Sequence, residues 1–343
     1  NNLLLDEIHD PTDWVPRRMA PMVLVGTVVT HLLGGSAGRE GTAIQMSGSL
    51  TDLLSRTLRL GADDRRTLLV AALAGGFGSV FGVPFAGVVF AVEVQSVGRY
   101  DRSALLPSVA ASFLGSWVTE ALGVRHAPMP DLGGTGLHLP LFLKVAAAGI
   151  AFGLLAMVFT RSVHLARATF ARALRWAPAR PFVGGALVVG LTLLVGTRAY
   201  NGLSLPLIGE SLFGDGPTTW AFALKLLFTA VTLGAGFVGG EVTPLFVVGA
   251  TFGAVAAGVL GVPVHLLAAM GMVATFGAAA NTPLACAVMG VELFGPGVAP
   301  YLVVACATAW AVSPHEGIYR SQRLHRPKPF RRRRADRPLP SAG

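Results

Sequence analysis

The chain has 343 residues, of which 52% are hydrophobic and only 13% charged, with a formal net charge of +9. That length would suit about two soluble domains, but a soluble fold does not carry fifty consecutive uncharged positions, as 242–291 does. A bilayer core takes about 20 apolar residues per helix, so the composition excludes an ordinary soluble enzyme and points to a polytopic, all-α membrane protein.

The chain opens on Asn1-Asn2 rather than Met, with no signal-peptide pattern before Leu3-Leu4-Leu5, so the expectation is a fragment lacking upstream helices. A carboxamide offers two N–H donors to an anion without adding charge, although an Asn pair alone reads first as a turn. Asp6, Glu7, His9 and Asp10 are expected on a solvated interfacial face, since one imidazole is too few for a metal site. No metal or cofactor is expected elsewhere in the chain. Within the uncharged run 19–38, His31 reads as a hydrogen-bonded core residue.

Gly38-Arg39-Glu40-Gly41-Thr42 follows directly. An ionisable group beside a glycine-rich apolar stretch is a functional candidate. A helix opening here would leave unpaired N–H groups that attract anions, and the Glu40 carboxylate could occupy the anion position itself. Protonation would free it to swing away. After the basic stretch Arg56 to Arg66, the uncharged run 67–92 contains Pro84 and is closed by Glu93. Pro84 suits the first turn of a helix, and Glu93 is expected to pair with a basic group or to face water.

Further uncharged runs cover 103–119, 145–160 and 181–197. Between the last two, five arginines and His164 in 161–180 suit a helix end and a cytoplasmic loop. Glu241 and Thr243 sit in Gly239-Gly240-Glu241-Val242-Thr243-Pro244, where N–H groups of a starting helix and a Thr hydroxyl could meet an anion. Cys286 and Cys306 lie in apolar runs and read as buried thiols. Tyr319 follows the last span, and the tail carries Arg331 to Arg334. The basic tail reads as a topology signal or a contact with membrane lipids rather than a nucleic-acid site.

Self-comparison organises these pieces. The Gly38–Thr42 turn has a counterpart at Gly239–Thr243, with Glu40 aligned to Glu241. Phe77, Pro84 and Glu93 then match Phe276, Pro283 and Glu292, with successive members spaced by seven and nine positions in both copies. The chain is therefore expected as a duplicated membrane domain. Residues 1–160 form the first half, 161–180 a basic connection, 181–324 the second half, and 325–343 a Pro-rich, disordered tail.

The quoted segments resemble the CLC family of anion channels and anion/proton antiporters. Gly38–Thr42 with Gln45 resembles the gating-glutamate signature, Ala72 to Glu93 the helix pair that follows, and Gly239–Pro244 a further signature. Gly317-Ile318-Tyr319 is similar to the segment holding the family's central tyrosine. The resemblance covers Asn1 to about Leu324. It implies a homodimer with one pore per subunit, two inverted halves in each subunit, and a Gly before Asn1. It makes Asn1, Asn2, Gly38, Arg39, Gly41, Thr42, Val242, Thr243 and Tyr319 the expected anion-binding residues, with Glu40 and Glu241 handling gating and protons.

Departures from the chloride-handling pattern resemble the fluoride-transporting branch. They are the Asn pair, Thr42 in place of Pro, and Glu241 and Thr243 in place of apolar or small residues. Fluoride is small and strongly hydrated, so it needs firm hydrogen-bond donors to leave water. The second of two adjacent acids that chloride antiporters use is replaced here by Val94, which leaves Glu241 as the candidate for the inner proton route. The resemblance thus implies a fluoride/proton antiporter in a bacterial-type inner membrane. Its partners would be fluoride, protons, lipid and a second subunit. A chloride/proton antiporter or passive anion channel of the same fold is the alternative. A membrane-embedded hydrolase is disfavoured, because no Ser-His-Asp or Cys-His arrangement falls at motif spacing.

Overall fold

The computed structural model describes residues 2–98, 102–134, 136–325 and 328, so Asn1 and nearly all of the basic tail lie outside the described residues. The first helices are α1 (Asn2–His9), α2 (Met19–Leu32), α3 (Glu40–Thr57), α4 (Ala62–Phe81), α5 (Pro84–Glu93) and α6 (Leu105–Ala121). There follow α7 (Leu139–Ala173), α8 (Ala179–Val195), α9 (Leu205–Phe213), α10 (Ala221–Gly234), α11 (Val242–Leu260), α12 (Val264–Ala280), α13 (Pro283–Phe294) and α14 (Ala299–Val312). Two short strands, β1 (Ser96–Val97) and β2 (Arg323–Leu324), pair in parallel.

The two repeat copies become α3–α4–α5 and α11–α12–α13, and they are inverted. Arg66 on α4 and Arg323 both act electrostatically on His9, while Arg320, close by in sequence, and Arg167 on α7 both act on His164. These basic groups therefore mark one face, which the positive-inside rule makes cytoplasmic. Helix α3 ends toward that face, at Arg56 and Thr57. Helix α11 ends on the other, where Lys144, in the opening turns of α7, donates to the Gly261 carbonyl at 3.2 Å.

Pro84 and Pro283 each open a helix, as expected. The acids at the far ends of those helices do something the sequence does not foretell. Glu93 accepts hydrogen bonds from the N–H groups of Leu284 and Ala285 at 3.1 and 2.7 Å, and Glu292 accepts from Phe85 and Ala86 at 2.9 and 2.7 Å. Each helix thus caps the other's N-terminus across the two halves. The partners are orphan backbone donors at the positive end of a helix dipole, in place of the basic group or water expected for Glu93.

Two further expectations change. Helix α7 continues unbroken through Ala173, so most of the connection expected over 161–180 is helical. It packs against α10, α12 and α14, which places it with the later half. Glu7, expected in solvent, is 4% exposed. It accepts a hydrogen bond from Arg65 Nη2 at 3.0 Å, while Asp52 accepts from Arg65 Nε at 2.5 Å. Arg65 Nη2 also donates to the Asp13 carbonyl at 2.6 Å, and its guanidinium lies 4.6 Å from the centre of the Trp14 ring. This cluster fastens α1 to α3 and α4. His31 is half-buried, with ring nitrogens 2.8 and 3.1 Å from the carbonyls of Thr27 and Ala37.

The core runs along α12, of which 15 residues from Leu266 to Ala280 are buried. Peripheral helices turn large apolar residues outward, among them Leu24 and Val25 on α2, Leu114 and Trp117 on α6, and Phe182 and Leu194 on α8. In water such a surface would aggregate; facing lipid it needs no cover. Helices α7 and α11 are long and apolar enough to cross a membrane.

Replacing Arg65 by Met would leave Asp52 and Glu7 buried without their cation. Breaking a buried ion pair costs about 3–5 kcal/mol. The variant is expected to unfold at a clearly lower temperature than the parent in detergent, as read by tryptophan fluorescence.

Candidate anion and proton site

The two halves meet where α3 and α11 begin. Gly38 N–H donates to the Gly240 carbonyl and Gly240 N–H to the Gly38 carbonyl, each at 2.7 Å, as an isolated antiparallel bridge. Backbones can come this close because the turn lacks side chains. A Cβ on Gly38 would run into Glu40 Oε2, and one on Gly239 would lie 2.5 Å from Ala37 Cβ. The bridge sets two helix N-termini, each with unpaired N–H groups and a positive dipole end, beside one another.

Glu40, the first residue of α3, is 5% exposed. Its Oε2 accepts from the N–H of Arg39 at 3.0 Å and from the N–H of Thr243 at 3.4 Å. One donor belongs to its own turn and the other to the opposite half. The carboxylate thus sits on donors suited to a small anion. A protonated side chain would have no charge to hold it there.

The bridge also corrects the repeat register. It pairs Gly38 with Gly240, and α3 opens at Glu40 where α11 opens at Val242. Val242 is therefore the counterpart of Glu40, and Glu241 that of Arg39. Glu241 is half-buried at the N-cap of α11, makes no capping hydrogen bond, and feels the charges of Arg167 and Arg320. Both arginines also act on His164. The two glutamates therefore differ in setting: Glu40 lies between the helix starts, and Glu241 toward the basic cytoplasmic face.

The remaining expected residues divide. Thr243 is 3% exposed and joins Glu40 and Arg39 in lining a cavity of about 530 Å³. That cavity opens away from the basic face, past Phe81, Arg125, His126 and Phe246. Gly41 and Val242 stand in the first turns of α3 and α11. Thr42 turns toward α2, its Oγ1 2.5 Å from that of Thr27. Asn2 opens α1, with a buried Oδ1 that meets no partner among the described residues; Asn1 lies outside them. Tyr319 is buried, its ring edge-on to Phe90 with centroids 6.4 Å apart.

Two features went unread in the sequence. Phe77, Phe81, Phe90, Phe246 and Phe276 form a continuous aromatic cluster between the halves, reaching from the outer cavity to Tyr319. Gln322 and Asn281 anchor the segment that follows Tyr319. Gln322 Nε2 donates to the carbonyls of Val94 and Ala280, both at 2.8 Å, and Asn281 Nδ2 donates to Gln322 Oε1 at 3.1 Å. Asn281 closes α12 in the left-handed conformation, so an Asn just ahead of Thr282-Pro283 was the available signal.

An inverted helical repeat with a carboxylate at the junction of two helix starts defines a polytopic membrane transporter for small anions. The family model described as voltage gated chloride channel matches residues 2–314, so the chain belongs to the CLC family. A chloride/fluoride channel protein of Pseudomonas syringae pv. tomato is 46% identical over 98% of this chain and 76% of its own length. The H(+)/Cl(-) exchange transporter ClcA of Vibrio cholerae is 29% identical over 69% of this chain, which spans about half (52%) of that protein. Among solved structures, a CLC-type fluoride/proton antiporter superposes with a TM-score of 0.91 at 34% identity, covering 94% of this chain and 82% of its own. A slow cyanobacterial Cl-/H+ antiporter shares the fold at a TM-score of 0.75 and 20% identity, covering 88% and 74%.

Gly38→Ala puts a methyl group where Glu40 Oε2 lies. Either the carboxylate or the glycine bridge must give way. Losing one such hydrogen bond is worth about 1 kcal/mol or more, so the variant is expected to unfold at a lower temperature than the parent in detergent. Tryptophan fluorescence reads the change.

Proposed function

We propose that the chain exchanges fluoride for protons and exports fluoride across a bacterial inner membrane, as a homodimer with one pathway per subunit. The observation that carries this reading is the seat of Glu40. A carboxylate that accepts from Arg39 and Thr243 across the two halves occupies the place a small anion would take, and a proton removes its charge. Anion entry and proton uptake are then two sides of one event. Fluoride is favoured over chloride by the Thr243 N–H and hydroxyl, and by the Asn1-Asn2 pair if its amides serve the anion as the sequence leads one to expect, since such donors suit a strongly hydrated ion. The names of the relatives point the same way. The solved structure at 34% identity is described as a fluoride/proton antiporter, and the relative at 46% as a chloride/fluoride channel protein.

In this reading Glu40 is gate and proton carrier. Gly38, Arg39, Gly41, Thr42, Val242, Thr243 and Tyr319 shape the anion path, with Thr42 acting through its contact with Thr27. Glu241 serves the inner end of the proton route, where Arg167 and Arg320 act on it. The first test is Glu40→Gln in the full-length protein, reconstituted in liposomes. A fluoride gradient is expected to drive proton uptake with the parent and none with the variant, since the amide has no proton to exchange. Unchanged coupling in the variant refutes the gate assignment. Chloride flux without proton movement in the parent would instead establish the passive channel.

Glu241→Gln separates transport from stability. Loss of fluoride-driven proton flux at an unchanged unfolding temperature is the expected result. A role confined to the helix start, worth roughly 1 kcal/mol, would lower the unfolding temperature and leave the flux intact.

A further inference from the structure

Past the end of α5, residues 94–97 form a short strap near the cytoplasmic face, and two segments distant in sequence are fastened to it. The first is α1, whose last residue, His9, brings Nε2 to 2.8 Å from the Gln95 carbonyl. A carbonyl only accepts, so the imidazole is the donor. The second is the segment that follows Tyr319. Gln322 Nε2 donates to the Val94 carbonyl at 2.8 Å, Arg323 N–H to the Gln95 carbonyl at 3.3 Å, and His325 N–H to the Val97 carbonyl at 3.0 Å. One carbonyl, that of Gln95, therefore takes a donor from each segment, and its two lone pairs allow both.

The strap is fixed to the wall behind it. Gln95 is 2% exposed, and its Nε2 donates to the Ala91 carbonyl in the last turn of α5 at 2.8 Å. Glu93, at the end of the same helix, caps α13. The two segments tied to the strap are short levers. Helix α1 has eight residues, so His9 stands roughly 10 Å from Asn2 at the other end. Arg65 binds α1 toward α3 and α4 through Glu7, and His9 binds it to the strap. In the second segment, Gln322 N–H closes a turn on the Tyr319 carbonyl at 3.4 Å, and Gln322 Nε2 also reaches the Ala280 carbonyl at the end of α12. Asn2 and Tyr319 thus each stand within a few residues of a donor to the same four-residue strap.

We propose that residues 94–97 are a common tether for the two cytoplasmic walls of the anion path, with His9 and Gln322 as positioning residues that keep Asn2 and Tyr319 at one spacing. A shift of either wall pulls the strap away from the other, so the two move as a unit. This rests on the reading of Asn2 and Tyr319 as residues of the anion path.

The experiment is a double-mutant cycle on the fluoride concentration that half-saturates transport by the full-length protein in liposomes, with maximal rate and unfolding temperature measured alongside. His9→Leu and Gln322→Leu are each expected to raise the half-saturating concentration. Residues that act through one tether have non-additive effects. Once one tie is cut, cutting the other adds little, so the double variant is expected to fall short of the product of the single effects by about threefold or more. His9→Gln returns an N–H donor to the Gln95 carbonyl and is expected to restore the parent value. Where Gln322→Leu does not fold, Arg323→Pro, which deletes the backbone donor to that carbonyl, takes its place in the cycle. Single effects that simply multiply overturn the tether, as does a lowered unfolding temperature with half-saturation unmoved. Asn2→Ala is the control for the underlying reading. If it leaves half-saturation unchanged, Asn2 is not on the anion path and the tether falls with it. If the parent carries chloride without protons, the fluoride/proton reading fails, and the same cycle run with chloride decides the tether by the same criterion.

Discussion

Two helices that run in opposite directions through the membrane begin within hydrogen-bonding distance of each other, and the rest of the structure is arranged around that junction. The reciprocal bridge between Gly38 and Gly240 fixes it. Side chains on Gly38 or Gly239 would push the two turns apart, so glycine here is a requirement of backbone approach. Once the turns meet, unpaired N–H groups from both halves face one small volume. Whatever lies there must be negative or a strong acceptor, and Glu40 fills the place.

The inverted symmetry recurs at the other contacts between the halves. Glu93 and Glu292 exchange caps on the two Pro-initiated helices, which ties the far walls of the site to the same pseudo-two-fold relation as the bridge. The aromatic cluster fills the space between them with rings from both halves. Tyr319 comes from a third direction, because the chain after α14 returns to the ends of α5 and α12. The site is thus built from segments far apart in sequence, with its walls fixed by backbone hydrogen bonds.

Much of this was legible in the residues. The uncharged runs gave the class, and the matched spacing from Phe77 and Phe276 to the prolines and acids gave the duplication and two helix starts at Pro84 and Pro283. Glu40 was visible as an acid in an apolar, glycine-framed place. The register of the glycine turn was not, since Gly239-Gly240 offers two ways to align one glycine and only the bridge chooses between them. The partners of Glu93, Glu292 and Glu7 were hidden because each lies on a distant segment, and chain-local patterns carry no such information.

The central claim is that an anion and the Glu40 carboxylate compete for one seat, so binding the anion must bring a proton to the protein. Titration calorimetry of fluoride into the full-length protein, repeated in buffers of different ionisation enthalpy, measures that proton directly. Near neutral pH the account predicts uptake of up to about one proton for each anion bound, as linkage between the two requires. Anion binding whose heat is the same in every buffer, with no proton taken up, would contradict it.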